Sequence, residues 1–308
     1  MYFGSVRFYK HIILIAMAFI VIFSISSCVY MGISNHHLKK VLKEHGIEVS
    51  QIFEDESSIL VSADPKSIKK EQMAQYYLNS YNYQRSYPDL YVDNDFIYKD
   101  DAPKSVYLTF DDGVSSMTPK ILDVLKENDV QATFFVIYDD NAEAQDLYKR
   151  MIAEGHTVGV HSTSHQYETI YQSTEAFLDD FAPTATLLEQ ATGIKPEIFR
   201  FPGGSINRYN QSDYMPIIAE MTRRGYTYYD WNVSADDATS KATEQTIYNN
   251  VVNEVEEHSK SIVLLHDAAD KMDTVEALPS IIKELKSKGY TFYALNKEVR
   301  PIAFDYVE

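Results

Sequence analysis

Val106-Tyr-Leu-Thr-Phe-Asp111-Asp112-Gly113 is the stretch on which the reading of the chain turns. Its first five residues are apolar, aromatic or β-branched, the composition of a buried strand. The run then passes directly into two adjacent carboxylates and a glycine. In an ideal strand, neighbouring side chains point to opposite faces, so Asp111 and Asp112 converge only if the chain bends there. Gly113 is expected to supply that bend. Asp-Asp-Gly is also ordinary turn chemistry. What favours a site is the pattern repeated downstream.

From Ser105 onward, strand and helix signals alternate. Further β-rich runs lie at Ala132–Ile137, Thr157–His161, Ile198–Phe201, Thr227–Asp230, Ser261–Leu265 and Thr291–Ala294. Helical patterns fill the gaps: Thr118–Asn128, Glu143–Glu154, Thr174–Thr192, Asp213–Arg224, Thr243–Ser259 and Thr274–Lys288. Gly155, Gly193, Gly225 and Gly289 fall where helix C-caps favour a positive φ. Repeated βα units imply parallel strands with right-handed crossovers, in an incomplete (β/α) barrel or a doubly wound sheet. No Gly-x-Gly-x-x-Gly follows the first strand, which argues against a dinucleotide site. Polar residues recur at strand ends: Asp111 and Asp112, then His161, Arg200, Asp230 and His266. Groups at the C-terminal ends of parallel strands share one face, so together they predict a site.

The residue types fit hydrolytic chemistry. His161-Ser-Thr-Ser-His165 places two imidazoles at i and i+4, which on a helical turn would face one ion. A carboxylate from the neighbouring strand end completes a two-His-one-carboxylate set with open positions. Of two adjacent aspartates, one then ligates and the other stays free as a general base. Arg200, opening Arg200-Phe-Pro202-Gly203-Gly204-Ser205, is suited to orient a carboxylate, and the glycines allow a backbone N–H to approach a ligand. His266, in Leu264-Leu-His266-Asp267, is matched to protonating a leaving amine, with Asp237 or Asp230 as its acidic partner. The remaining histidines, His156 and His258 among them, read as structural or surface residues.

Bulk properties narrow the partners. The 308 residues carry 45 Asp and Glu against 28 Lys and Arg, a formal charge of −17, which argues against nucleic acid. There are 24 tyrosines, a residue frequent on sugar-binding surfaces. The single cysteine, Cys28, excludes an intrachain disulfide framework, so any metal falls to His and carboxylates. The uncharged run from Ile12 to Asn35, preceded by Arg7 and Lys10, is long enough to span a bilayer. Residues 1–35 are therefore read as a signal anchor, with two alternatives: a cleaved signal, or lipid attachment at Cys28, where Ile25-Ser-Ser-Cys28 resembles a bacterial lipobox. Each reading places the remainder outside the cytoplasm, and the anchor makes it a single-pass protein of the cell membrane. Residues 36–101 read as an extracytoplasmic stalk whose last part wraps the following domain, and residues 102–308 as the catalytic domain.

Taken together, these motifs resemble the polysaccharide deacetylases, carbohydrate esterase family four, also called the NodB homology domain. The resemblance runs from about Lys104 to about Ala294. It implies an α/β fold, a distorted (β/α)7 barrel. It implies Asp111 as general base and Asp112, His161 and His165 as ligands of a divalent metal, zinc expected, with cobalt, nickel or iron accepted by the same set. It further implies Arg200 paired with Asp111, a backbone N–H near Pro202 and Gly203 in the oxyanion hole, Leu264 in the substrate pocket, and His266 as general acid backed by Asp237. Two departures bear on substrate preference. Ser234 and Ala238 replace the family's usual Asp and Trp in the fourth motif, and Gly203 stands where many members carry Tyr. The implied substrate is an acetylated polysaccharide, N-acetylglucosamine of peptidoglycan before chitin-like oligosaccharide or O-acetylated xylan. A catalytically silent glycan-binding protein on the same barrel is the alternative of a different class.

Overall fold

The computed structural model describes residues 82–211 and 214–304. The expected signal anchor, Cys28 and most of the stalk lie outside the described residues. Strand β1 (Ser105–Asp111) is buried along its whole length, as its composition predicts. It lies inside a parallel sheet, with β2 (Thr133–Ile137) on one side and β7 (Lys260–His266) on the other. The sheet continues through β3 (Thr157–Ser162), β4 (Ile198–Phe199) and β5 (Thr227–Tyr228) to one edge, and through β6 (Val233–Ser234) to the other. A short β8 (Thr291–Phe292) pairs with the start of β1. Every ladder is parallel, in the order 5-4-3-2-1-7-6.

Helices α1 (Thr118–Glu127), α2 (Ala142–Ala153), α3 (Tyr167–Ile170), α4 (Thr174–Thr192), α5 (Tyr214–Arg223), α6 (Glu244–Glu256) and α7 (Met272–Ser287) separate the strands. All four glycines expected at helix ends have positive φ. Among the described residues no helix is long and apolar enough to cross a membrane.

Alternation along β1 sorts its side chains. Val106, Leu108 and Phe110 join the large core beneath the helices, while Tyr107 joins Phe135, Ile198, Tyr229 and Ile262 on the inner face of the curl. The inner face is apolar where the strands start and becomes polar at Thr109 and Asp111. Leu295 and Val299 of the C-terminal segment close its apolar end.

The sequence predicts seven strands, and the structure adds β6. Chain leaving edge strand β5 reaches the opposite edge after four residues, 229–232. The two edges are thus joined by the backbone itself, and no β5–β6 ladder occurs among the described residues. Asn232 makes the transfer: its N–H donates to the Ile262 carbonyl, and its side-chain oxygen accepts from the Ile262 N–H at 2.8 Å. A two-residue strand entered in this way has no periodicity to read.

Residues 83–101 also belong to this fold. Leu90 enters the main core. Arg224, at the end of α5 and fully buried, donates Nε–H to Glu220 at 2.7 Å and its other N–H groups to the carbonyls of Tyr83, Ser86, Tyr87 and Leu90. The next residue, Gly225, has φ of 85°, and a Cβ there would meet the Val92 carbonyl oxygen at 2.0 Å.

Candidate active site

Asp111 is the last residue of β1 and pairs in register with His266 on β7. The bend expected at Gly113 is made one residue earlier: Asp112 itself is left-handed, with φ of 72°. Aspartate tolerates that region better than most side chains. Gly113 is needed for close approach instead, since a Cβ there would lie 2.6 Å from Asp267 Oδ2. Asp267, fully buried, accepts from the hydroxyls of Ser115 and Thr118, and its N–H donates to the Asp111 carbonyl at 2.7 Å. Burial raises its carboxyl above the ordinary range, against those two hydrogen bonds.

The expected helical turn for His161 and His165 is replaced by a strand end and a tight turn. His161 is within β3, and His165 follows in a loop with φ of 53°. A helix would need the strand to stop before His161; instead Asp180 of α4 shapes the turn. One Asp180 oxygen accepts from the Ser162 hydroxyl at 2.6 Å and the Thr163 N–H at 3.0 Å, the other from the Ser164 N–H at 2.8 Å. Ser162 Oγ in turn accepts from the His165 N–H at 2.8 Å. Both imidazoles thereby face Asp112: its Oδ1 is 3.5 Å from His161 Nε2 and 3.4 Å from His165 Nε2.

This triad fits a divalent ion. Asp112 Oδ1 is a buried carboxylate oxygen with no hydrogen-bond partner. Spacings of 3.4–3.5 Å between donor atoms suit bonds of about 2.0–2.2 Å to a shared tetrahedral centre. The His161 ring donates Nδ1–H to the Arg200 carbonyl at 2.9 Å, which leaves the Nε2 lone pair directed at Asp112. Burial, followed by the neighbouring His161, lowers the His165 pKa and favours its neutral, ligating form. Asp112, His161 and His165 are the one such cluster among the described residues.

Arg200 is fully buried on the inner face of the sheet, its guanidinium carbon 4.5 Å from the Phe135 ring centre and 5.6 Å from that of Trp231. It donates to Asp111 Oδ1 at 2.9 Å, to Thr109 Oγ1 at 2.6 Å and to the carbonyls of Tyr229 and Asp230. Asp111 is thus held by one oxygen, and the other stands 4.0 Å from His161 Nε2. After Arg200, Pro202 is buried and its carbonyl accepts from the Tyr171 hydroxyl at 2.7 Å. The N–H of Gly203 meets no acceptor among the described residues. Gly203 and Gly204 both have positive φ, and a Cβ on either would collide with an aromatic ring, Tyr167 and Phe304 respectively.

Of the two candidate partners for His266, the structure selects Asp237. Its Oδ1 accepts from His266 Nδ1–H at 2.7 Å, and its Oδ2 accepts from the His266 backbone N–H and the Thr274 hydroxyl at 2.8 and 2.9 Å. Burial pulls the His266 pKa down, but the hydrogen bond and charge of Asp237, with Asp111 and Asp112 facing it, carry the net shift upward. Asp230 instead pins the glycine loop, accepting from the Ser205 N–H and hydroxyl. Leu264 lies two residues before His266 on the same face of β7 and is nearly buried. Ser234 hydrogen-bonds Asp236, and Ala238 is exposed.

His156 precedes β3 at the opposite edge, accepts the Ala132 N–H at 3.0 Å and is shifted by burial down to about 4, so it is neutral and structural. Sequence reasoning missed Asp180 and Thr274, which reach the site from helices with no fixed spacing from any motif, and Tyr167, two residues after His165. The available signal was Asp180 and Thr184, polar at i and i+4 on a helix face otherwise carrying Phe177, Phe181 and Leu188.

Comparison with known proteins agrees with this arrangement. A family model described as polysaccharide deacetylase matches residues 98–227. The YheN protein of Bacillus subtilis (strain 168) is 34% identical over 221 residues, which cover 70% of this chain and 75% of that protein. A peptidoglycan-N-acetylglucosamine deacetylase of Bacillus cereus is 33% identical over 201 residues, covering 63% and 70% respectively. Among solved structures, the catalytic domain of a peptidoglycan N-acetylglucosamine deacetylase from Eubacterium rectale superposes with a TM-score of 0.64 at 36% identity, covering 69% of this chain and 97% of that one.

Proposed function

The chain belongs to the polysaccharide deacetylase family, and from that premise we propose that it hydrolyses N-acetyl groups of a cell-envelope glycan, the N-acetylglucosamine residues of peptidoglycan. The observation that carries this reading is the division of labour between two adjacent carboxylates. Asp112 offers an unpartnered buried oxygen to His161 and His165, while Arg200 holds Asp111 away from that role.

Asp112, His161 and His165 would hold a divalent ion, which would supply Lewis-acid polarisation of a carbonyl and acidify nearby water; zinc suits these donors, as do cobalt, nickel and iron. Asp111, held by Arg200 through one oxygen, takes a proton from the attacking water through the other. The Gly203 N–H donates to the carbonyl oxygen as negative charge develops there. His266, braced by Asp237, gives a proton to the nitrogen as the C–N bond breaks, releasing acetate and an amine. Leu264 lines the face on which the acetyl methyl would rest.

Residues 1–35 lie outside the described residues. Their apolar pattern supports a membrane anchor with the catalytic domain on the extracytoplasmic side, beside such a polymer.

The test is acetate release by the zinc-loaded chain from purified peptidoglycan, chitooligosaccharide and acetylxylan side by side. Peptidoglycan is expected to be the best substrate, and Asp111→Asn to lower the rate at least about 100-fold with zinc still bound. No release from any of the three, with Asp111→Asn indistinguishable from the unaltered chain, would sink the reading.

A further inference from the structure

Gly203 has no side chain, yet the space beside it is filled. A Cβ built on Gly203 would lie 2.7 Å from Cε1 of Tyr167 and 3.3 Å from its hydroxyl. Tyr167 comes from a different element, opening α3 two residues after His165. Its ring meets the His165 ring edge-on at 5.2 Å and has Tyr209 at 5.1 Å. Tyr167 is only half-buried, with its hydroxyl end beside Gly203.

We infer that Tyr167 is the specificity-determining wall of this site, presenting its ring to the pyranose that carries the reacting acetamide. The inference rests on the deacetylase reading above. A pyranose has an apolar C–H face and a polar rim, and tyrosine matches it with an apolar body and a polar tip. The ring touches both the candidate ligand His165 and the Gly203 loop, so a sugar stacked on it lies between the two groups that must meet its acetamide. The wall therefore stands in, from another element, for the side chain that position 203 lacks. It takes no part in proton transfer, and its loss should weaken sugar binding more than chemistry.

The experiment compares the zinc-loaded full chain on a fully N-acetylated chitooligosaccharide and on 4-nitrophenyl acetate, an acetyl ester without a sugar. Tyr167→Ala is expected to raise KM on the oligosaccharide about tenfold with kcat within about threefold, and to leave ester hydrolysis and zinc affinity unchanged. Tyr167→Phe, which keeps the ring, should retain the original KM within about threefold. An unchanged KM in Tyr167→Ala, or equal losses on both substrates, overturns the inference. An unaltered chain that frees no acetate from any glycan overturns the deacetylase reading and the wall with it. An active chain indifferent to Tyr167→Ala overturns the wall alone.

Discussion

His266 is the residue whose surroundings most directly set a measurable quantity. Burial would make its imidazole easier to deprotonate, but Asp237 reverses that effect, so the protonated form persists to higher pH than for an ordinary histidine. A general acid must be protonated to act, so the alkaline limb of kcat/KM belongs to this group. Asp237→Asn removes the charge that raises the pKa, and the alkaline limb is expected to move to lower pH, read from a pH–rate profile. Thr274→Val, which removes one donor to Asp237 Oδ2, is expected to leave Asp237 itself less well held and to change the profile less. The polar residues on which this chemistry rests were legible in the sequence because each follows a local strand signal: Asp111 and Asp112 after Val106–Phe110, His161 at the end of its run, His266 after Leu265. Their direct partners Arg200 and Asp237 were also expected, but the groups that hold those partners were not. Thr274 touches Asp237 across 37 positions, and nothing local in either stretch announces the other.

Helix α4 shows how an element acts on chemistry it does not contain. Its Asp180 and Thr184, one turn apart, hold the turn after β3: Asp180 takes Ser162, Thr163 and Ser164, and the Thr184 hydroxyl donates to the Ser162 carbonyl at 3.0 Å. Removing such support typically costs about 10–100-fold in metal affinity. Asp180→Ala is therefore expected to weaken zinc binding by about that factor in a competition titration with a chelator, with the far-ultraviolet circular dichroism of the protein unchanged. Affinity equal to that of the unaltered chain would remove Asp180 from this role. The existence of α4 and of β3 was plain from periodicity and from Gly193, but the geometry of the turn between them was not. An i, i+4 histidine pair is compatible with a helix, and only the tertiary contact with Asp180 selects the strand-end alternative. In the same way, Val233–Ser234 is strand only because Asn232 docks on Ile262.

On the scale of the whole molecule, the fold begins earlier than its catalytic motifs. A chain started at Ala102 would strip the Arg224 guanidinium of four carbonyl acceptors and take Leu90 out of the main core. Breaking a buried charged network in this way typically costs about 3–5 kcal/mol. A protein starting at Ala102 is expected to unfold at least about 6–12 °C below one starting at Tyr81 in a thermal melt, and equal melting temperatures would refute the assignment. In a parallel sheet, the end of α5 lies at the edge where strands start, whereas Asp111, His161 and His266 lie where strands finish. Arg224 therefore clasps the incoming chain at the edge remote from the reaction centre. The consequence is mechanical. A pull applied to the chain just ahead of Tyr83 would meet this clasp before it reached β1, on the side of the sheet away from the loops that carry Asp112, His165 and Gly203.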